Sequence, residues 1–186
     1  MELCPAGPAA AYGGIMANKT SAGDRRIRRL VIYGLLTALI AMLTLFASFP
    51  LPLGEGGAYL NAGDTAIYLT AYLIGPIGGM ITAAVGSAIA DLLHGAAIYA
   101  PATLVIKGLM GLICGALFKR IKYAAPPVAG LIMPLGYFAF EYALFGSAAA
   151  LYGLWTNAIQ YAFGVIVGIA AIAFAVKARL KDKLDI

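Results

Sequence analysis

The feature that most limits how this chain can fold is the apolar stretch of residues 60–112, which four ionisable side chains interrupt. An ionisable group inside a membrane segment is costly, so such residues are rare there and are functional candidates by default. The four residues are Asp64, Asp91, His94 and Lys107. The stretch is therefore predicted to supply one wall of a ligand site within a membrane protein.

The composition of the whole chain supports a membrane location. Of its 186 residues, 62% are hydrophobic and 11% are charged, whereas soluble domains carry about 25% charged residues. So few charges cannot cover a water-facing surface. The net charge of +5 comes from short basic clusters beside apolar runs. That distribution is the positive-inside pattern of membrane proteins and not the basic stripe of a nucleic-acid-binding protein.

Prolines, glycines and charges divide the apolar sequence into six predicted transmembrane helices. A spanning helix needs about 20 apolar residues, and the second predicted helix is short because Gly75-Pro76 separates it from the third. Pro134 is predicted to kink the fifth helix. The six predicted helices cover residues 27–49, 62–74, 77–93, 101–118, 128–144 and 151–176.

The basic clusters predict the orientation of this all-α integral membrane protein. With six spans, three clusters fall on one side of the membrane, at residues 25–29, 119–122 and 177–183. The loops on the other side contain no lysine or arginine, and they are residues 50–61, 94–100 and 145–150. Both termini are therefore predicted to be cytoplasmic.

The chain is predicted to form one transmembrane substrate-binding domain, at residues 25–180, between a disordered tail at 1–24 and a cytoplasmic tail at 181–186. The first tail lacks the basic-then-apolar order of a secretory signal. Cys4 and Cys114 lie in unlike contexts and define no disulfide framework or metal-ligand spacing. We predict neither a metal nor a cofactor.

Polar residues of five predicted helices share the outer half of the membrane. Counted at 1.5 Å per residue, each lies within a few turns of the outer end of its helix. Scattered structural groups have no reason to share a depth, whereas a polar cavity open to the outside explains it. The predicted substrate-binding residues are Asp64, Asp91, His94, Tyr99, Lys107, Tyr137, Glu141, Asn157, Gln160 and Tyr161.

Each of these residues also has a purely structural interpretation. Asp64 is placed to N-cap the second helix, and Asp91 is placed to pair with His94 or with Lys107. Amides in membrane helices commonly hydrogen-bond a neighbouring helix, which would account for Asn157 and Gln160. The site prediction therefore depends on the set of residues more than on any single member.

The sequence carries no recognisable catalytic motif. It contains no GxxxxGK[ST] and no GxSxG, so it shows no means of hydrolysing ATP and no serine nucleophile elbow. Two alternatives to a binding subunit stay open. One is a small intramembrane enzyme that uses Asp91, His94 and Glu141, and the other is a structural membrane protein without a ligand.

Small residues line the first predicted helix in two i, i+4 pairs. Gly34 and Ala38 form one pair, and Thr37 and Ala41 form the other. Small residues let membrane helices approach closely. The pairs therefore predict either packing within this protein or a docking face for another membrane subunit.

Two runs of the sequence carry a family resemblance: NAGDTAIYLTAYLIGPIGGMITAAVGSAIADLL, followed by YAPATLVIKGLMGLICGAL. They resemble the substrate-binding S components of energy-coupling factor (ECF) vitamin transporters. The matching features are Gly63-Asp64, Gly75-Pro76, the Asp91 region and Pro101 followed by Ile106-Lys107-Gly108. The resemblance implies a six-helix protein of the prokaryotic cytoplasmic membrane that binds one vitamin in its outer half beneath a lid, the loop 50–61.

The resemblance also implies partners and no enzymatic activity. S components dock on a transmembrane scaffold subunit bound to two ATPase subunits, through small residues of helix one that here match Gly34, Thr37, Ala38 and Ala41. The side-chain types favour a hydroxymethylpyrimidine-, thiamine- or pyridoxine-like ligand, with riboflavin next. Lys107 is expected to meet an acceptor or phosphate of the ligand, or to neutralise Asp91.

Overall fold

The computed structural model describes residues 22–50 and 59–184, so most of the predicted N-terminal tail and of the predicted lid lies outside the described residues. The predicted all-α class is confirmed, with one small β-ribbon added. The elements are α1 (Ala22–Phe46), β1 (Ser48–Pro50), β2 (Tyr59–Asn61), α2 (Gly63–Leu93), α3 (Ala100–Ile121), a 3₁₀ turn (Lys122–Ala124), α4 (Ala125–Gly130), α5 (Ile132–Phe145), α6 (Ser147–Lys177) and α7 (Leu180–Leu184).

Helix α2 reverses direction at Gly75. This residue has φ 79° and ψ −173°, a conformation essentially restricted to glycine. A Cβ at Gly79 would lie 2.9 Å from the Cα of Ala71, although eight residues of straight helix span about 12 Å. The two arms, 63–74 and 76–93, therefore fold back on each other, and the break lies at the predicted Gly75-Pro76.

Helices α3 and α5 form a second antiparallel pair. The chain turns at Lys122, which has φ 43°, and the contacts Thr103–Tyr137 and Lys107–Met133 run in opposite directions along the two helices. The helix after the turn is interrupted at Leu131, between α4 and α5. Pro134 cannot donate a backbone hydrogen bond, which accounts for this interruption, while Leu131 itself keeps helical angles, φ −58° and ψ −24°.

Glycines bring the remaining helices close to α2. Gly86 faces Thr37 and Ile40 of α1, where a Cβ would lie 2.8 Å from the Thr37 carbonyl oxygen. On the other side, Gly168 of α6 faces Tyr68, where a Cβ would lie 2.6 Å from the ring. Buried residues of α1 to α6 form the core, with Ile40, Tyr68, Met110, Met133 and Ile172 among its largest side chains.

The boundary of the first helix differs from the prediction. Helix α1 covers Ala22–Phe46 instead of 27–49, and Ser48–Pro50 pairs antiparallel with Tyr59–Asn61. The region predicted as loop 50–61 therefore begins and ends in short strands. Proline has no backbone N–H, which ends a helix but is tolerated in an edge strand, and this accounts for Pro50 in β1.

Four helical stretches of the described residues are long and apolar enough to cross a membrane, and they are 23–46, 63–93, 100–145 and 147–177. The second and third stretches contain the reversals at Gly75 and Lys122. The large apolar residues exposed on these helices, such as Leu30, Ile77 and Phe174, are those expected to face lipid, which is as apolar as leucine.

Candidate functional site

A polar cavity of about 460 Å³ lies at one end of the helix bundle. It forms where α1 ends, α2 begins and ends, α3 begins, α5 ends and α6 begins. The cavity-lining residues are Thr44, Asn61, Asp64, Ser87, Asp91, Ala96, Tyr99, Thr103, Lys107, Tyr137, Glu141, Ala149, Tyr152, Gly153, Thr156, Asn157 and Gln160. The three basic clusters are at the other ends of α1, α3 and α6.

A buried ion pair lies at the inner limit of the cavity. The ammonium group of Lys107 contacts Oδ1 of Asp64 at 2.5 Å, and Gln160 donates to Oδ2 of Asp64 at 3.0 Å. Lys107 also lies 2.9 Å from the sulfur of Met133. The Asp64 carboxylate is therefore held from two sides, by residues of α3 and α6.

These contacts decide between the structural interpretations of Asp64 and Asp91. Asp64 does not cap α2, because its carboxylate binds Lys107 and Gln160. The N-cap is Ala62, without a side-chain cap, and Oδ1 of Asn61 accepts a hydrogen bond of 3.0 Å from the backbone N–H of Gly63, the first residue of α2. The ion pair of Lys107 is with Asp64, and Lys107 and His94 also interact electrostatically with Asp91.

Hydroxyl and aromatic groups of α3 and α5 form the next layer of the wall. The hydroxyls of Thr103 and Tyr137 are 2.8 Å apart, and the hydroxyl of Tyr99 donates to Oε1 of Glu141 at 3.5 Å. The Tyr99 ring packs at tilted angles on Tyr137 and Phe140. This wall offers both ring faces and hydrogen-bonding groups, as small-molecule sites commonly do.

Two carboxylate oxygens of the cavity are buried without a partner. Among the described residues, neither Oδ2 of Asp91 nor Oε2 of Glu141 has a hydrogen-bond partner, and Glu141 is 9% exposed. A buried acceptor left unpaired costs about 1–3 kcal/mol, and more when it is charged. These oxygens have almost no accessible surface, so they lie within the wall itself, whereas both side chains line the cavity.

The structure brings together most of the predicted site residues. Of the ten, Tyr161 and His94 do not line the cavity. Tyr161 instead donates to the carbonyl oxygen of Pro127 at 3.0 Å, and His94 is an exposed residue at the C-terminal end of α2. The other eight residues line the cavity: Asp64, Asp91, Tyr99, Lys107, Tyr137, Glu141, Asn157 and Gln160.

Several cavity-lining residues were not predicted from the sequence, although some carried a detectable signal. Ser87, Thr103 and Thr156 each lie four residues before a predicted site residue, and so share its helical face. Gly153 lies four residues before the predicted Asn157. Thr44 and Asn61 had no such signal, because their approach depends on how α1 and β2 pack.

The structure divides the small residues of α1 between two surfaces. Ala41 is buried, at 8% exposure, and the Thr37 backbone packs against Gly86. Gly34 and Ala38 are exposed, and a Cβ at Gly34 would meet nothing within 4 Å. The four predicted docking residues thus do not form one exposed face, because Thr37 and Ala41 pack inside the protein.

The described residues contain no group of three or more histidine, cysteine, aspartate and glutamate side chains placed to hold a metal ion.

Comparison of the sequence with known proteins gives a consistent family. The family described as "ECF-type riboflavin transporter, S component" matches residues 25–177. An uncharacterized protein of the gap 3′ region of Pyrococcus woesei is 35% identical over 152 residues, which are 78% of this chain and 99% of that protein. The thiamine precursor transporter HmpT of Lactococcus lactis subsp. cremoris (strain MG1363) is 29% identical over 144 residues, which are 77% of this chain and 85% of that protein.

Two solved structures share the fold. The S component of a bacterial ECF transporter superposes with a TM-score of 0.65 at 22% identity, over 86% of this chain and 98% of that one. The S component for biotin from an ECF-type ABC transporter gives a TM-score of 0.62 at 16% identity, over 86% of this chain and 94% of that one.

Proposed function

Because the chain belongs to the family of S components of ECF-type riboflavin transporters, we propose that its cavity captures one small water-soluble vitamin or vitamin precursor from outside the cell. The family consists of membrane transport proteins and not of enzymes. The intramembrane enzyme that uses Asp91, His94 and Glu141 is therefore excluded. A structural protein without a ligand would have no use for a polar cavity of this kind.

The observation that carries this proposal is the polar cavity of about 460 Å³, whose wall contains the carboxyl groups of Asp91 and Glu141 outside the Asp64–Lys107 ion pair. Ligand pockets generally have about 300–1,000 Å³ and combine apolar walls with a few placed polar groups. A ligand that carries hydrogen-bond donors or a positive charge would be complementary to a wall that contains these carboxyl groups.

Among vitamins and their precursors, we favour a hydroxymethylpyrimidine- or thiamine-like ligand, ahead of a pyridoxine-like ligand and of riboflavin. The exocyclic amine and hydroxyl of an aminopyrimidine are donors suited to Asp91 and Glu141, and its ring suits the faces of Tyr99 and Tyr137. The relative HmpT, a thiamine precursor transporter, supports this choice.

We propose further that six helical arms cross the bilayer, with both termini in the cytoplasm. The reversals at Gly75 and Lys122 divide two of the four apolar stretches into pairs of arms. The basic clusters of α1, α3 and α6 share the end opposite the cavity. The positive-inside rule would place that end in the cytoplasm of a prokaryotic cell and the cavity mouth outside.

Delivery of the ligand would depend on partners. The chain contains no nucleotide-binding motif, so a membrane scaffold subunit with two ATPase subunits would supply the energy for release. Of the predicted docking residues, Gly34 and Ala38 are exposed on α1. We therefore assign docking to this pair, and assign Thr37 and Ala41 to internal packing.

The decisive test is whether the protein carries and binds a vitamin. Purified protein should retain a vitamin or precursor that mass spectrometry detects, and the stripped protein should gain thermal stability when that compound is added back. A panel of water-soluble vitamins that produces neither a retained compound nor a thermal shift would contradict the proposal.

A further inference from the structure

The charged groups of the cavity are unequal in number. Among its described lining residues there are three carboxylates, on Asp64, Asp91 and Glu141, and one cation, Lys107. Asp64 already contacts the Lys107 ammonium group at 2.5 Å. Among the described residues, Asp91 and Glu141 therefore form no ion pair with this cation, although Lys107 and the exposed His94 interact electrostatically with Asp91.

The surroundings of these two carboxylates are only partly polar. Glu141 is 9% exposed and receives one hydrogen bond, from Tyr99 to Oε1, while its Oε2 has no partner among the described residues. The Asp91 side chain has a hydrogen bond with Thr103, but its Oδ2 has no partner among the described residues. A buried charge is normally paired. With three carboxyl groups and one ammonium group in its lining, the cavity favours a positive charge on the ligand over a negative one.

We propose that this cavity selects a positively charged nitrogen heterocycle, such as a protonated aminopyrimidine, and rejects the phosphate ester of the same ring. The inference rests on the proposed function, because it concerns the ligand of the same cavity. Asp91 and Glu141 set the selectivity: they attract the cation and repel phosphate oxygens. Asp64 balances the charge of Lys107, and two of the three ammonium N–H donors are directed at Asp64 and Met133.

The test compares matched ligands on the full chain in detergent or nanodiscs. The probes are 4-amino-5-hydroxymethyl-2-methylpyrimidine, its phosphate ester, thiamine and riboflavin, each titrated by calorimetry. We expect the pyrimidine or thiamine to bind, and the phosphate ester to bind at least about a hundredfold more weakly, since juxtaposed like charges cost several kilocalories per mole.

Isosteric amide variants identify the groups responsible. Asp91→Asn and Glu141→Gln should each weaken binding of the cation about ten- to a hundredfold, as expected for loss of a charge-assisted hydrogen bond. The double variant should bring the phosphate ester within about tenfold of the free pyrimidine. Asp182→Asn in α7, a carboxylate-to-amide change far from the cavity, is the control and should change neither affinity.

A second readout guards against misfolding. Because the carboxamide oxygen can still accept the hydrogen bonds of Tyr99 and Thr103, neither amide variant should lower the ligand-free unfolding temperature. A phosphate ester that binds as well as the free pyrimidine would overturn the charge selectivity and leave the vitamin-binding function intact. The same conclusion would follow if the protein bound riboflavin but neither the pyrimidine nor thiamine. Absence of binding by every vitamin probe would overturn both proposals.

Discussion

At the scale of single residues, the central feature of this S component is the Asp64–Lys107 pair. Asp64 begins α2 and Lys107 lies in α3, yet the structure joins them inside the protein and adds Gln160 from α6. Removing one partner of a buried ion pair leaves an uncompensated charge, which is far more destabilising than removing both. The pair therefore ties three helices together below the cavity.

Replacing Lys107 tests this connection. Lys107→Met should lower the free energy of unfolding by about 3–5 kcal/mol, because it strands the Asp64 carboxylate, and thermal unfolding in detergent would measure the loss. Lys119→Met, on an exposed residue of the same helix, is the matched control. The double variant Asp64→Asn/Lys107→Met should recover most of the stability. No recovery would show that the charge of Asp64 is not the cause.

Gly153 offers a second test at this scale. An added Cβ would overlap Oε2 of Glu141, so Gly153→Ala should displace that carboxylate and weaken ligand binding at least about tenfold, the effect of losing one charged hydrogen bond. Gly34→Ala places the same methyl group in open space and should bind normally. Equal affinities of the two variants, measured by calorimetry, would contradict a role for Glu141 in binding.

At the scale of elements, the reversal of α2 at Gly75 positions the two acids of this helix. The first arm begins with Asp64 and the second ends near Asp91, so folding the arms together brings both acids to the same end of the bundle. Without the reversal, 27 residues of helix would separate them by about 40 Å. One glycine conformation is therefore required for the cavity to exist.

Gly75→Ala should destabilise the protein through backbone conformation alone. Nothing lies within 4 Å of a Cβ at this position, so no clash arises, but φ of +79° is unfavourable for alanine. The expected loss is about 1–3 kcal/mol, measured as a lower unfolding temperature against Gly34→Ala as the helical control. An unchanged unfolding temperature would mean that alanine tolerates this conformation here.

At the scale of the whole molecule, the two ends of the bundle differ in chemistry. One end holds the cavity with its carboxylates, and the other holds the basic clusters of α1, α3 and α6. An importer would need this difference between its ends. It would load its ligand at the cavity end, and anionic lipids of the cytoplasmic leaflet would attract the basic clusters at the other end.

Cysteine labelling checks the orientation. In a Cys4→Ser background, Ser147→Cys at the cavity end should react with a membrane-impermeant maleimide in intact cells, whereas Lys181→Cys should react only after permeabilisation. The native Cys114 is buried and serves as the unreactive background. Labelling of Lys181→Cys in intact cells would reverse the proposed topology.

Docking is the second prediction for the whole molecule. Ala38→Trp should abolish co-purification with co-expressed scaffold and ATPase subunits, because an indole prevents close helix approach, while ligand binding is kept. Ala162→Trp, also on an exposed helix face, is the control for bulk alone. Intact complex formation by Ala38→Trp would rule out the Gly34–Ala38 surface.

The sequence by itself determined the membrane class, the helix breaks at Gly75-Pro76 and near Lys122, and eight residues that line the cavity. These follow from local physics, since burying charges in lipid is costly and glycine and proline limit the backbone wherever they occur. Helical spacing would also have identified Ser87 and Thr103.

Only the tertiary structure decided which groups meet. Three outcomes depend on helix rotation and packing: Lys107 forms its ion pair with Asp64, Asn61 bonds the first N–H of α2, and Ala41 lies inside while Ala38 lies outside. Spacing along the chain places a residue on a face of its own helix, but the partner that face meets depends on contacts between helices distant in sequence.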